Sequence, residues 1–134
     1  NRMLHIPDSK RFYYADAIVV DGKPEFFLYK KKMQATTNPC TIIEVLSDST
    51  ERKDRGEKWQ GYRTIPSLKE YILIAQDEVY VEIFRKIEET HSAWRNEYYD
   101  QLEQSVSIAG KELPLAEVYR DVELDVTGET TENT

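Results

Sequence analysis

Two acidic residues stand where acids are costly. Glu44 lies in Thr41-Ile42-Ile43-Glu44-Val45-Leu46, and Asp16 in Tyr14-Ala15-Asp16-Ala17-Ile18-Val19-Val20. Each is the lone carboxylate of an apolar, strand-like run, and a buried carboxylate needs a partner. For Glu44 that partner is a Lys or Arg at a strand end, or else Glu44 works as a metal ligand or general base. Two such strands side by side would bring both carboxylates together. Oxygen donors without cysteine or histidine favour a hard cation, Mg²⁺ or Mn²⁺. A third group follows between Thr50 and Arg63, where Asp54, Lys58 and Tyr62 recur along one helix face. The same pattern fits an exposed Asp–Lys pair worth roughly a few tenths of a kcal/mol, with Tyr62 and Trp59 packed on a sheet. The helix directly follows the Glu44 strand, so its first turns stand near that strand's C-terminal end, where sites in open α/β sheets lie. Two acids and a lysine there suit metal-assisted phosphodiester hydrolysis. The cation neutralises phosphate and acidifies a bound water, and Lys58 steadies the attacking water or the developing charge.

The elements that must hold these groups are mostly strands. Alternating or β-rich runs mark Met3–Ile6, Phe12–Val20, Phe26–Tyr29, Thr41–Leu46, Glu70–Ile74, Tyr80–Lys86 and Ala93–Tyr99. Asp21-Gly22 reads as the turn between the second and third of them, and Asn38-Pro39 as the loop entering the fourth. Asp48-Ser49-Thr50-Glu51 carries a capping-box pattern. It opens a helix that runs to about Thr64, because Ile65 precedes Pro66. Gly56 and Gly61 each cost that helix about 1 kcal/mol relative to Ala, which predicts close packing on a sheet. A second short helix is predicted at Leu115–Tyr119. The stretch from Thr41 to Ile74 reads as a βαβ unit with parallel strands, flanked by antiparallel hairpins. The fold class is therefore α/β or α+β, a mixed sheet flanked by helices.

With 134 residues, 40% of them hydrophobic, the chain is one domain with a single core. That domain is expected over 1–126, with 127–134 a polar, frayed tail. No run of about 18 uncharged apolar residues is present to form a transmembrane helix. Cys40 is the lone cysteine, which excludes an intrachain disulfide or a cysteine-based zinc site and reads as a small buried residue. His5 and His91 read as surface or strand residues. No signal peptide is visible, which points to the cytoplasm. The chain opens on Asn1 in strand-like alternation, so its natural start is expected upstream. A net charge of -7 disfavours a protein that coats nucleic acid broadly.

The wording of several segments is more specific than their composition. Tyr13-Tyr14-Ala15-Asp16-Ala17-Ile18-Val19-Val20 is followed by Asn38-Pro39 and by Ile43-Glu44-Val45-Leu46-Ser47-Asp48-Ser49-Thr50. Then come Asp54-Arg55-Gly56-Glu57-Lys58, Tyr62-Arg63, Ile65-Pro66-Ser67-Leu68-Lys69-Glu70-Tyr71-Ile72-Leu73-Ile74 and Leu113-Pro114-Leu115-Ala116-Glu117-Val118-Tyr119. From about residue 12 to 123 the chain resembles the Uma-type restriction endonucleases, a bacterial group of the PD-(D/E)XK nuclease superfamily. The resemblance implies a restriction-endonuclease-like fold and a Mg²⁺- or Mn²⁺-dependent endonuclease acting on DNA rather than RNA. It assigns the PD acid to Asp16 and the (D/E)XK acid to Glu44, with the Val45 carbonyl as a further metal ligand. Ala15 stands where the pattern has Pro, and Leu46 where it has Lys. The lysine has moved to the following helix, which points to Lys58 as the catalytic cation. Asp54 and Tyr62 would orient it or contact phosphate. The superfamily's first helix, often carrying another acid, is expected to be absent from this chain.

Local basic clusters matter more to phosphate binding than net charge. Lys30, Lys31 and Lys32 form one, and Arg52, Lys53, Arg55 and Arg63 surround Lys58 in another; both also fit a solvated face. Two further readings stay open. One is a nuclease fold without catalysis that binds DNA or protein. The other is a purely structural oligomer, a homodimer in which exposed edge strands near Ala93–Tyr99 pair two chains.

Overall fold

In the computed structural model, residues 2–6, 11–29, 33–47, 49–88, 90 and 93–120 are described. The side chains of residues 2, 27–29, 33 and 49–55 are outside that description. So are Lys30, Lys31, Lys32, Asp48, His91 and the expected tail.

Among the described residues, eleven strands and two helices follow one another along the chain. They run β1 (Arg2–Ile6), β2 (Arg11–Ala15), β3 (Ala17–Val19), β4 (Phe26–Tyr29), β5 (Met33–Thr36), β6 (Thr41–Leu46), α1 (Ser49–Tyr62), β7 (Glu70–Ala75), β8 (Val81–Lys86), β9 (Trp94–Tyr99), β10 (Ser105–Ile108), β11 (Lys111–Pro114) and α2 (Leu115–Val118). The expected α+β class is what the chain adopts. The larger sheet has five strands in the order β3-β6-β7-β8-β9, and the smaller has four in the order β2-β1-β5-β4. The predicted βαβ unit is present, with Thr41 beside Glu70 and Leu46 beside Ala75 in parallel register. The hairpins on β7–β8 and β8–β9 are antiparallel.

The core follows from the pleat. Successive residues of a strand point to opposite faces. On one face, Ile42, Leu46, Tyr71 and Leu73 pack under α1 with Tyr62, Ile65 and Leu68, and reach Leu4, Ile6 and Ala15 of the smaller sheet. On the other face, Ile72, Val81 and Ile83 meet Val106, Leu115 and Tyr119 of the C-terminal elements. The Tyr119 hydroxyl donates to the Ala75 carbonyl at 2.7 Å, tying α2 to the sheet.

Several sequence expectations need correction. The run Phe12–Val20 is not one strand. It breaks at Asp16, leaving β2 in the smaller sheet and β3 in the larger. Asp21-Gly22 makes no tight hairpin, since β3 and β4 lie in different sheets and β4 pairs with β5. Gly22 still needs its freedom there, with φ at +92°. Helix α1 stops at Tyr62 instead of about Thr64, because tighter turns take over, Thr64 N–H donating to Gly61 O and Ile65 N–H to Tyr62 O. Cys40 is half-buried rather than buried. His5 is half-buried in β1, its ring 5.1 Å from that of Phe12.

The two helix glycines divide. At Gly61 an added Cβ would meet Tyr13 Cε2 at 3.1 Å and Ile6 Cγ2 at 3.4 Å, so close packing on the smaller sheet explains this glycine. At Gly56 nothing lies within 4 Å, and the expected packing reason does not apply. Gly56→Ala is therefore expected to raise stability by about 1 kcal/mol through helix propensity and reduced unfolded-state entropy. Gly61→Ala gains the same preference but must push the Tyr13 ring, and is expected to fall at least about 1 kcal/mol below Gly56→Ala. Urea unfolding midpoints of the two variants check both signs.

Candidate active site

The site forms where β3, β6 and α1 meet. Antiparallel pairing sets Ala17 opposite Ile43 and Ile18 opposite Ile42. One residue further along the same register, Asp16 comes beside Glu44. The sequence expectation that the two acidic strands lie side by side is met by this pairing. Asp16 is exposed and turns one oxygen inward, where Oδ2 accepts the Val45 N–H at 2.7 Å. That bond closes the edge of β6 beyond the last pair of the β3–β6 ladder. It satisfies a main-chain donor that the broken strand would otherwise leave open. A residue's N–H and C=O leave an extended strand on the same side, so the Val45 carbonyl faces this edge too.

Glu44 is buried, at 5% exposure, on the face that α1 covers. Its charge is met by two helix side chains one turn apart. The Tyr62 hydroxyl donates to Oε2 at 2.9 Å, and Lys58 Nζ donates to Oε1 at 3.4 Å. Lys58 Nζ also donates to the Tyr14 carbonyl at 3.3 Å. Lys58 thereby spans β2 and β6, on the two sides of the Asp16 break.

Electrostatics follow burial. Loss of water around Glu44 pushes its carboxyl above the ordinary value, and repulsion from Asp16 adds to this; Lys58 and Tyr62 pull the other way without cancelling it. Burial and the neighbouring Glu44 charge push the Tyr62 phenol well above its ordinary value, so it stays a donor.

An aromatic layer fixes the helix over these groups. The Trp59 ring stacks on Tyr71, with centroids 5.3 Å apart and planes 3° from parallel, and on Phe84 at 4.6 Å. Trp94 meets it edge-on at 4.8 Å. Tyr62 is wedged edge-on between Tyr13 and Tyr71. Tyr62 and Trp59 do pack on the sheet, yet Tyr62 keeps its hydroxyl on the acid.

Of the expected site residues, the structure brings Asp16, Glu44, Val45, Lys58 and Tyr62 together. Tyr62 touches Glu44 rather than Lys58, so its contact is with the acid. Arg63 is exposed, its guanidinium 5.9 Å from the Trp59 ring centroid, and no described bond ties it to the two acids. The side chains of Asp54, Arg52, Lys53 and Arg55, and all of Lys30, Lys31 and Lys32, lie outside the described residues. The reading of residues missed the Tyr14 carbonyl and the Val45 N–H. Both are main-chain groups, which carry no residue-type signal. Among the described residues, no group of three or more His, Cys, Asp and Glu side chains gathers as a metal cluster. The donors present are two carboxylates and a carbonyl. No helix among the described residues is long and apolar enough to cross a membrane.

The profile of the Uma2 family, described as "Putative restriction endonuclease", matches residues 2–126, and the chain belongs to that family. The uncharacterized protein sll1609 of Synechocystis sp. (strain ATCC 27184 / PCC 6803 / Kazusa) is 40% identical over 84 residues, covering 63% of this chain and 46% of that protein. The uncharacterized protein slr1290 of the same strain is 40% identical over 57 residues, covering 42% of this chain and 30% of that protein. The chain thus spans under half the length of these curated relatives.

The raised Glu44 carboxyl sets a sign for stability. Its folded pKa lies above its unfolded value, so the folded state binds the proton more tightly. The resulting stability is complete below the unfolded pKa and is lost as pH rises through the folded one. In chelator, Glu44→Gln is therefore expected to gain stability relative to wild type as pH rises from about 4 to 8. Urea unfolding across that range checks it. Carbon-13 titration of Glu44 is expected to show a further rise in Tyr62→Phe and a larger one in Lys58→Met, since each removes a group that lowers the pKa.

Proposed function

We propose that the chain is a divalent-metal-dependent endonuclease that hydrolyses phosphodiester bonds of DNA, with Asp16, Glu44 and Lys58 as its working groups. The observation that carries this reading is the meeting of Lys58 Nζ with Glu44 Oε1 at 3.4 Å, beside an edge where Asp16 is bound to Val45 N–H. A cation on α1, an acid on β6 and a second acid at the break between β2 and β3 support this reading. Membership in the Uma2 family supports a nucleic-acid substrate.

The donor set fits a hard cation. Asp16, Glu44 and the Val45 carbonyl offer oxygen only, the preference of Mg²⁺ and Mn²⁺. Each carboxylate oxygen has two lone pairs. Among the described residues Val45 N–H, Lys58 and Tyr62 each occupy one, and the lone pairs that they leave could serve a metal. When bound, the ion neutralises phosphate charge and acidifies a coordinated water.

The chain's own groups do the rest. Tyr62 fixes the Glu44 carboxylate through Oε2, so the other oxygen keeps a constant direction. Lys58 has three donors and, among the described residues, spends two of them, on Glu44 and on the Tyr14 carbonyl. The third is left for the attacking water or a phosphate oxygen, where charge develops. The ammonium is held by a carboxylate and a carbonyl and costs no reorganisation when substrate arrives. Arg52, Lys53, Arg55, Arg63 and the Lys30–Lys32 run would meet the DNA backbone.

The purified protein is expected to nick or linearise supercoiled plasmid with Mg²⁺ or Mn²⁺ and to stop in chelator. Glu44→Gln, Asp16→Asn and Lys58→Met are each expected to slow cleavage by about 10²-fold or more. If Glu44→Gln and Lys58→Met cut as fast as wild type, the assignment fails. DNA binding without cleavage in either metal would make the chain a binding module instead.

A further inference from the structure

Among the described residues, β9 is an outer edge of the five-stranded sheet. Its direction can be read from the bonds around it. The Ala93 carbonyl accepts the Ile87 N–H at 2.9 Å, so Ala93 turns its main chain toward β8. Alternation then turns Arg95, Glu97 and Tyr99 inward, and turns the N–H and C=O of Trp94, Asn96 and Tyr98 outward. Among the described residues no strand lies beyond them, since β9 ends the sheet order. Edges in monomers are commonly blunted by proline, lysine, a bulge or short length. Trp94-Arg95-Asn96-Glu97-Tyr98-Tyr99 has six residues and contains neither proline nor lysine, and it pairs with β8 without a bulge.

We propose that two copies of the chain join their β9 strands antiparallel about a two-fold axis at Asn96, making one continuous sheet. The register follows from the sequence. With Asn96 opposite its own copy, Arg95 falls opposite Glu97 of the second copy, and Trp94 opposite its Tyr98. Each strand then meets the other with opposite charges on one face and an aromatic pair on the other, both favourable cross-strand combinations. The outward groups of Trp94, Asn96 and Tyr98 are the ones that such a pairing bonds. A shift of two residues would set Arg95 opposite Arg95 or Glu97 opposite Glu97. The centre is also clear, because the Asn96 side chain is drawn back onto Glu82 Oε2 and the Ile83 carbonyl, each at 3.2 Å. Arg95 Nε already holds Glu97 Oε2 of its own strand at 2.9 Å with 61% of the Arg95 side chain exposed, so the pairing would extend that bridge to the Glu97 of the second copy; Glu97 is also anchored by Arg85 at 3.1 Å and by the Tyr99 hydroxyl at 2.8 Å. Tyr98, at 57% exposure, is the most open large hydrophobic residue described.

Sedimentation equilibrium over a range of concentrations tests this. Wild type is expected to be a concentration-dependent dimer. Tyr98→Pro deletes an outward N–H and leaves the β8 ladder intact, and is expected to be monomeric. Arg95→Glu sets like charges opposite each other twice, and is expected to weaken the dimer at least about tenfold. Lys111→Glu, the same charge change away from this edge, is expected to behave as wild type. Circular dichroism confirms that each variant folds. A wild-type monomer at every concentration, or a dimer that survives both Tyr98→Pro and Arg95→Glu in folded protein, overturns the proposal.

Discussion

Glu44 has its charge on the covered face of β6, and the rest of the site is arranged around meeting it. A carboxylate at 5% exposure cannot rely on water. Two donors must come down from the helix, and they must come from the same side. That fixes the phase of α1, because Lys58 and Tyr62 are four residues apart and so lie one above the other. The phase in turn puts Trp59 over Tyr71 and Phe84, and it turns Gly61 toward Tyr13 and Ile6. One polar requirement thus sets which side chains the helix shows to both sheets.

The arrangement is also costly, which gives it a functional sense. Burial leaves the Glu44 carboxyl raised even with Lys58 and Tyr62 in place. A well-packed apolar residue would serve stability better there, as replacements of buried ion pairs show. The aromatic layer around Trp59 packs the helix onto the sheet beside the Lys58–Glu44 contact.

Much of this was legible in the residues. The Thr41–Leu46 run with its single acid gave the central strand. The capping pattern and the Pro66 stop gave the helix, and their succession gave the parallel unit. The convergence of Asp16 with Glu44 was an expectation from the two apolar strands themselves, and the family resemblance added the motif positions assigned to the two acids. What escaped the reading lacks a side-chain signature. In Phe12–Val20 the only strongly strand-unfavourable residue is Asp16 itself, and a single acid in an apolar run reads equally as a buried ligand or as the point where the chain changes sheets. The β10–β11 hairpin turns on Ala109-Gly110, both at positive φ, +54° and +81°. Alanine is a poor advertisement for a type I′ turn, which is usually written with Asn or Gly. Here the Ala109 N–H is held by Glu70 Oε1 at 2.8 Å, a contact across 39 residues that no local pattern contains. Lys58 could be placed on the right face of the helix, but its second acceptor is the Tyr14 carbonyl, and sequence does not encode which carbonyl lies nearby.

The break at Asp16 has a mechanical meaning. The strand before it belongs to the four-stranded sheet and the strand after it to the five-stranded one. Its carboxylate is fastened to Val45 in the larger sheet, while Lys58 is fastened to Tyr14 in the smaller. The two sheets are therefore cross-laced at the candidate site, like the two leaves of a clasp. The spacing of Asp16, Glu44 and Lys58 is thereby tied to how one leaf sits against the other.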